Sequence, residues 1–102
     1  ANRARLGEAG ACEAAVAALR AHAGYTGVVQ RACAAVRSLA SDDAANCRRL
    51  GECGGCEAVV GALLTHGANG NEGVDRAACV ALEHLATNNA ANRRRAVGAA
   101  GG

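Results

Sequence analysis

Two cysteines separated by two glycines, Cys53-Gly-Gly-Cys56, have the spacing in this chain that most resembles a chemical site. A C-x-x-C pair can form a redox dithiol or supply half of a zinc site. A thioredoxin-like dithiol follows a β-strand, and a zinc ion needs two further ligands, for which Cys47 and His66 are the nearest candidates. The pattern around the pair provides no strand and no obvious convergence of four ligands. We therefore predict no bound metal and no cofactor.

The three histidines are the next candidates for chemistry. His22 and His66 each end an amphipathic stretch, where an imidazole can interact with the last free carbonyls and the negative end of the helix dipole. His84 stands beside Glu83 and is either a donor for a ligand or a solvated surface residue. No Ser/His/Asp or paired-carboxylate arrangement is expected on a rigid pocket, and the glycine-rich stretches lack the features of a phosphate-binding loop. We predict helix-capping roles for His22 and His66, and no enzyme activity.

All eleven basic residues are arginine, and the net charge is only +2. The runs 93–95 and 48–49, with Arg3 and Arg5, could align into a basic stripe that meets phosphates. The weak net charge and the presence of a single aromatic residue, Tyr25, argue against nucleic acid, because single strands favour stacking aromatics. A solvated face is the simpler interpretation, and we predict no nucleic-acid partner.

Six cysteines bear on the cellular compartment. Cys12, Cys33, Cys56 and Cys79 lie in apolar helical runs, where free cysteine acts as a small buried hydrophobe. A secreted disulfide framework would instead place cysteines in loops. We predict a reduced, intracellular protein, cytoplasmic or nuclear. No apolar run approaches the ~18 residues that cross a membrane, so no membrane partner is expected.

An internal repeat positions all of these residues. Segment 2–22 returns as 46–66, and at this offset (46 − 2 = 44) the two share 13 of 21 residues. A third copy starts at Asn92. A period of this length is typical of stacked helical repeats. We assign one domain over 1–102, with repeat one at about 2–45, repeat two at about 46–91 and a partial third at 92–102. Because the chain lacks an initiating Met and stops within a repeat, we expect it to be part of a longer protein.

Each unit is predicted to contain a short helix, a turn at glycine and two longer helices. Asn2 is the predicted N-cap of the first short helix, and Asp42 or Asp43 that of the second. Apolar residues at i, i+3, i+4 and i+7 mark the inward faces. The predicted helices are 2–9, 11–22, 27–40, 44–53, 56–66 and 73–87.

The series N-x-x-R-L-G-E-x-G-x-C-E-A-x-V-x-A-L, followed by A-C-x-A-[VL]-x-x-L-A, resembles the armadillo repeat over the whole chain. The resemblance implies an all-α fold, an α-solenoid of three-helix repeats wound into a right-handed superhelix. In that family the third helices line a concave groove that binds extended peptides or partner proteins. Peptide-binding members typically carry Trp and, four residues later, Asn on this helix. The chain has Ala34 and Ser38, then Val80 and His84, which argues against cargo binding of the nuclear-import type.

The resemblance also implies which residues line the groove. The candidates are Gln30, Arg37, Ser38, Arg76, Glu83 and His84. Arg37 and Glu83 are aligned across the repeats with opposite charges and could pair with each other. We predict a protein-interaction scaffold that presents the third-helix face to a protein or peptide. The alternative is a structural segment that stacks, through open ends, on neighbouring repeats or another copy of itself.

Overall fold

Six α-helices, with no strand, form the part of the chain that the structure describes. The computed structural model describes residues 5, 10–67, 69–87 and 89–101. The all-α prediction is confirmed there. The predicted helix 2–9 and its cap Asn2 lie outside the described residues, except for Arg5, whose backbone is helical. The helices are α1 (Ala11–Ala21), α2 (Thr26–Ala40), α3 (Ala44–Glu52), α4 (Gly55–Gly67), α5 (Glu72–Ala86) and α6 (Ala90–Ala99).

The long helices bury apolar stripes with helical spacing, because residues three and four apart share one face. In α1 the predicted stripe is buried in full: Cys12, Ala15, Val16 and Leu19. In α2 the buried set is also the predicted one: Val29, Ala32, Cys33, Val36, Leu39 and Ala40. In α4 the residues Cys56, Val59 and Val60 are buried, whereas Leu63 is only partly buried.

Glycine turns lead into α1 and α4, as predicted. Gly10 has φ 91° and Gly54 has φ 93°, in the left-handed region that side chains with a Cβ rarely adopt. The same offset of 44 residues therefore places the same sharp turn in both units.

The cap of α3 is one of the two residues that the sequence predicted. Asp43, the second of the two candidates, accepts a hydrogen bond from the backbone N–H of Asn46 at 2.9 Å. Asn89 caps α6 in the same way, accepting from Asn92 N–H at 2.9 Å. The repeated asparagine, which we predicted as a cap at Asn2, is the third residue of α3 and of α6. The prediction for α3 is therefore confirmed at Asp43, while the predicted cap Asn2 lies outside the described residues.

The repeated asparagine is instead a buried cross-link. Asn46 donates its side-chain amide to the Leu39 carbonyl at 2.9 Å. Asn92 donates to the Leu85 carbonyl at 2.8 Å and to the Cys47 carbonyl at 2.9 Å. Both asparagines are fully buried. Each therefore joins the end of a third helix to the first helix that follows it.

Equivalent helices of the two units lie in contact. We call residues 10–43 unit one and 44–87 unit two. Helix α1 contacts α4, and the most extensive contact of all is between α2 and α5. Helix α3 of unit two contacts its equivalent α6, which follows unit two. Cys79 departs from the prediction, because it is exposed although its equivalent Cys33 is buried. Unit two packs on the side of α2 that carries Cys33, and no described residue covers the same side of α5.

Candidate functional site

The six predicted groove residues lie on the two adjacent helices α2 and α5. In each helix the second and third of these residues follow the first by seven and eight positions, and none of the six belongs to the buried stripe of its helix. Gln30 and His84 are partly buried, and the other four are exposed: Arg37, Ser38, Arg76 and Glu83. We call the surface that carries these six positions the α2–α5 face, and their role in lining a groove stays a prediction. Arg37 and Glu83 both keep their charges exposed on this face.

Gln30 is held between the two helices. Its side-chain amide occupies the space beside Gly73, at the start of α5, into which a Cβ would project. A glycine at position 73 therefore allows the amide to lie against α5. Gln30 contributes to the contact between the units, which leaves less of it available to a ligand than sequence alone suggests.

His84 is fixed by a hydrogen bond within its own helix. Its Nδ1 lies 2.9 Å from the Val80 carbonyl, which can only accept, so Nδ1 carries the proton. The neutral ring then has an acceptor at Nε2. The role of His84 as a donor to a ligand stays a prediction, since its Nδ1 proton is already bonded to Val80.

A cleft of about 440 Å³ opens at one end of the α2–α5 face, where both helices end. Its lining includes no Arg, and His84 is its one imidazole. Asp42 reaches the cleft from a turn with φ 54°, a left-handed conformation that Asp tolerates better than most residues. The cleft is acidic, because Asp42, Asp43 and Glu83 contribute carboxylates to it. The lining residues are Ala40, Asp42, Asp43, Ala44, Cys47, Glu83, His84, Thr87 and Asn89.

The cleft was not predicted, because Asp42 and Asp43 were interpreted only as possible helix caps. The alignment of the two repeats could have indicated it. Residues that follow α2 and residues that follow α5 must meet at the same end of two stacked units. That relation places Asp42 and Asp43 near Glu83 and His84.

His66 does not cap its own helix, so the predicted role is wrong for this residue. It is buried, and its Nε2 lies 2.7 Å from the carbonyl of Ala23 in unit one. His22, at the equivalent position, is exposed and meets the Tyr25 ring edge-on at 6.2 Å between centroids. The same residue type therefore joins the units at one position and lies in solvent at the other.

The Cys53-Gly-Gly-Cys56 pair does not have the surroundings of an activated thiol. Burial, with the nearby Glu57 charge, raises the pKa of Cys56 to about 11, and burial also raises the pKa of Cys53. A reactive thiolate requires a lowered pKa. Within the described ranges, no three His, Cys, Asp or Glu side chains converge on a position for a metal ion.

The arginines of the first helices divide into two kinds. Arg49 and Arg95 donate to the side-chain oxygens of Asn46 and Asn92, at 3.2 Å and 2.8 Å. Arg48, Arg93 and Arg94 are exposed, while Arg3 lies outside the described residues. Part of the predicted basic stripe is therefore used to hold the buried asparagines.

Comparison with family models, with curated proteins and with solved structures finds no match for this chain. None of the helices in the described ranges has the length and apolar character needed to cross a membrane. The fold and the α2–α5 face must therefore be interpreted from their own residues.

Proposed function

We propose that this chain is a protein-interaction scaffold of the armadillo type. Its units stack as three-helix repeats in a right-handed α-solenoid, and the α2–α5 face binds an extended segment of a partner protein. The contact of each helix with its counterpart supports the stacking. The four free cysteines that are fully or almost fully buried, Cys12, Cys33, Cys47 and Cys56, suit a reducing, intracellular compartment.

The observation that carries the proposal is the position of the acidic cleft on the α2–α5 face. Exposed Arg37 and Glu83 occupy equivalent positions on neighbouring helices, and Glu83 also lines the cleft. A surface with fixed polar groups and an adjoining cavity suits binding, whereas no activated nucleophile lies on it. We therefore propose binding and not catalysis.

The charges of the cleft define the partner further. Asp42, Asp43 and Glu83 supply three carboxylates, and the lining contains one imidazole, His84, and no Arg. Opposite charges are attracted most strongly where solvent is partly excluded. We propose that the bound segment places an Arg or Lys side chain in this cleft. Because neither Trp nor Asn occupies the third-helix positions, the rest of the segment is held by side-chain contacts specific to this chain.

The test is selection of binders from a random-peptide display library, followed by affinity measurements on variants. The double variant Arg37→Ala/Glu83→Ala should weaken binding by about tenfold or more, as expected when two exposed charged contacts are lost. The matched control Arg48→Ala/Glu13→Ala removes the same two residue types from exposed positions on other helices. If both double variants bind like the wild type, with helicity unchanged, the binding face lies elsewhere.

A further inference from the structure

The two units bury opposite sides of their third helices. Val28 on α2 is 37% exposed, whereas its equivalent on α5, Val74 (28 + 46), is fully buried. Ala35 is exposed, and its equivalent Ala81 is fully buried. These positions are buried in unit two because unit one covers them. No other described element covers the same side of unit one, an apolar groove that we call the leading face.

The opposite side shows the reverse pattern. Cys33 and Val36 are fully buried where unit two covers them. In unit two, the equivalent of Cys33, Cys79, is exposed, and the equivalent of Val36, Leu82, is only partly buried. We call this side of unit two the trailing face. Among the described residues, both halves of an interface are therefore exposed that the chain also contains in assembled form, between its own two units.

The leading face has the shape of a binding groove. It encloses about 510 Å³ and is lined by Ala11, Ala14, Ala15, Ala18, Val28, Arg31, Ala32, Ala35 and Leu39. On unit two, the equivalent side packs against the third helix of unit one. The leading face therefore fits a third-helix surface such as the trailing face. Removal of apolar area from water would drive the contact.

A polar contact accompanies the apolar one. His66 donates to the Ala23 carbonyl of unit one, while His22 is exposed on the leading face side. The position equivalent to Ala23 in unit two is Gly67 (23 + 44). We propose that a second copy of this chain docks head to tail, with its trailing face in the leading face and its Gly67 carbonyl accepting from His22. Since this interface is heterologous, each added copy leaves a new free face.

The test uses two single-face variants of the 102-residue chain in sedimentation velocity. Val28→Glu places a charge on the leading face, and Cys79→Glu places one on the trailing face. The wild type should show an average mass that rises with concentration. Each variant alone should stay monomeric at concentrations about tenfold higher. An equimolar mixture of the two should form a dimer and nothing larger, because it contains one intact face of each kind.

Two further variants sharpen the test. Thr65→Glu adds the same charge away from both faces, because this repeat position is exposed in unit one (Ala21) and in unit two (Thr65). This variant should associate like the wild type. His22→Ala should weaken association about fivefold, as expected for one lost hydrogen bond. A wild type that is monomeric throughout, a Val28→Glu variant that associates like the wild type, or a mixture that stays monomeric would each overturn the proposal.

Discussion

His66 Nε2 lies 2.7 Å from the carbonyl oxygen of Ala23, 43 residues earlier in the chain. A carbonyl only accepts, so the imidazole donates from Nε2. The bond joins the end of α4 to the loop after α1, and it is largely shielded from water because His66 is 6% exposed. It is therefore a direct polar link between the two units.

The pair His66 and His22 provides a matched comparison. His66→Ala should lower the free energy of unfolding by about 1–3 kcal/mol, because the Ala23 carbonyl loses its donor and a cavity remains. His22→Ala should change it by less than about 0.5 kcal/mol, because His22 is exposed. Urea denaturation followed by circular dichroism gives both values. Equal effects would instead support the helix-capping role that the sequence suggested for both residues.

Replacement of the buried Asn92 should lower the free energy of unfolding more than replacement of His66. Asn92→Ala should destabilise the chain by about 2–4 kcal/mol, since two carbonyls, of Leu85 and Cys47, lose their donor. The cap variant Asn89→Ala should cost only about 1 kcal/mol. Thermal and urea unfolding measure both. An Asn92→Ala chain as stable as Asn89→Ala would show that the cross-link contributes little.

The helical elements followed from the sequence because their signals are local. Cys12, Ala15, Val16 and Leu19 repeat with the helical period, and Gly10 and Gly54 mark the turns. The alternation of helix and turn needs no knowledge of distant contacts. The stripe and turn positions were therefore predictable from residues within a few positions of each other.

Contacts between the units were not predictable in this way. The roles of His66, Asn92 and Gln30 depend on carbonyls and glycines that lie about 40 residues away or in the neighbouring unit. Cys79 occupies the same repeat position as Cys33, but no described unit packs over it. The same residue type is therefore buried in one unit and exposed in the other. A repeat predicts which positions are equivalent, and only the packed structure shows which of them are covered.

Burial predicts a graded reactivity of the six thiols. Cys79 is exposed, Cys53 is partly buried, and the other four are buried. A maleimide probe at neutral pH should modify one cysteine rapidly, and Cys79→Ser should abolish that fast phase. The remaining thiols should react only at the rate of opening or unfolding. Rapid labelling of three or more sites, measured by mass spectrometry, would contradict the packing described.

The buried thiols also predict alkaline destabilisation. Burial raises the pKa of Cys12, Cys33 and Cys56 to about 11 from an unfolded value near 9. Below pH 9 both states retain these protons, so the unfolding free energy is unaffected by them. Between pH 9 and 11 the unfolded chain releases protons that the folded chain keeps, so stability falls as pH rises.

Urea denaturation from pH 8 to 11 measures this fall. Cys33→Ala should reduce the pH dependence, because burial alone raises the pKa of that thiol. Cys79→Ala, which removes an exposed thiol, is the matched control. A pH dependence that responds to Cys79→Ala and not to Cys33→Ala would contradict the assignment.

The central claim is that the α2–α5 face binds the partner segment. Its most direct test is a titration of the ¹⁵N-labelled chain with a selected peptide, followed by amide chemical shifts. The shifts should be largest in 30–43 and 76–87, which include the predicted residues and the acidic cleft. Glu83→Gln should reduce them around the cleft for peptides that carry Arg or Lys. Shifts confined to α1 and α4, with 76–87 unaffected, would contradict the claim.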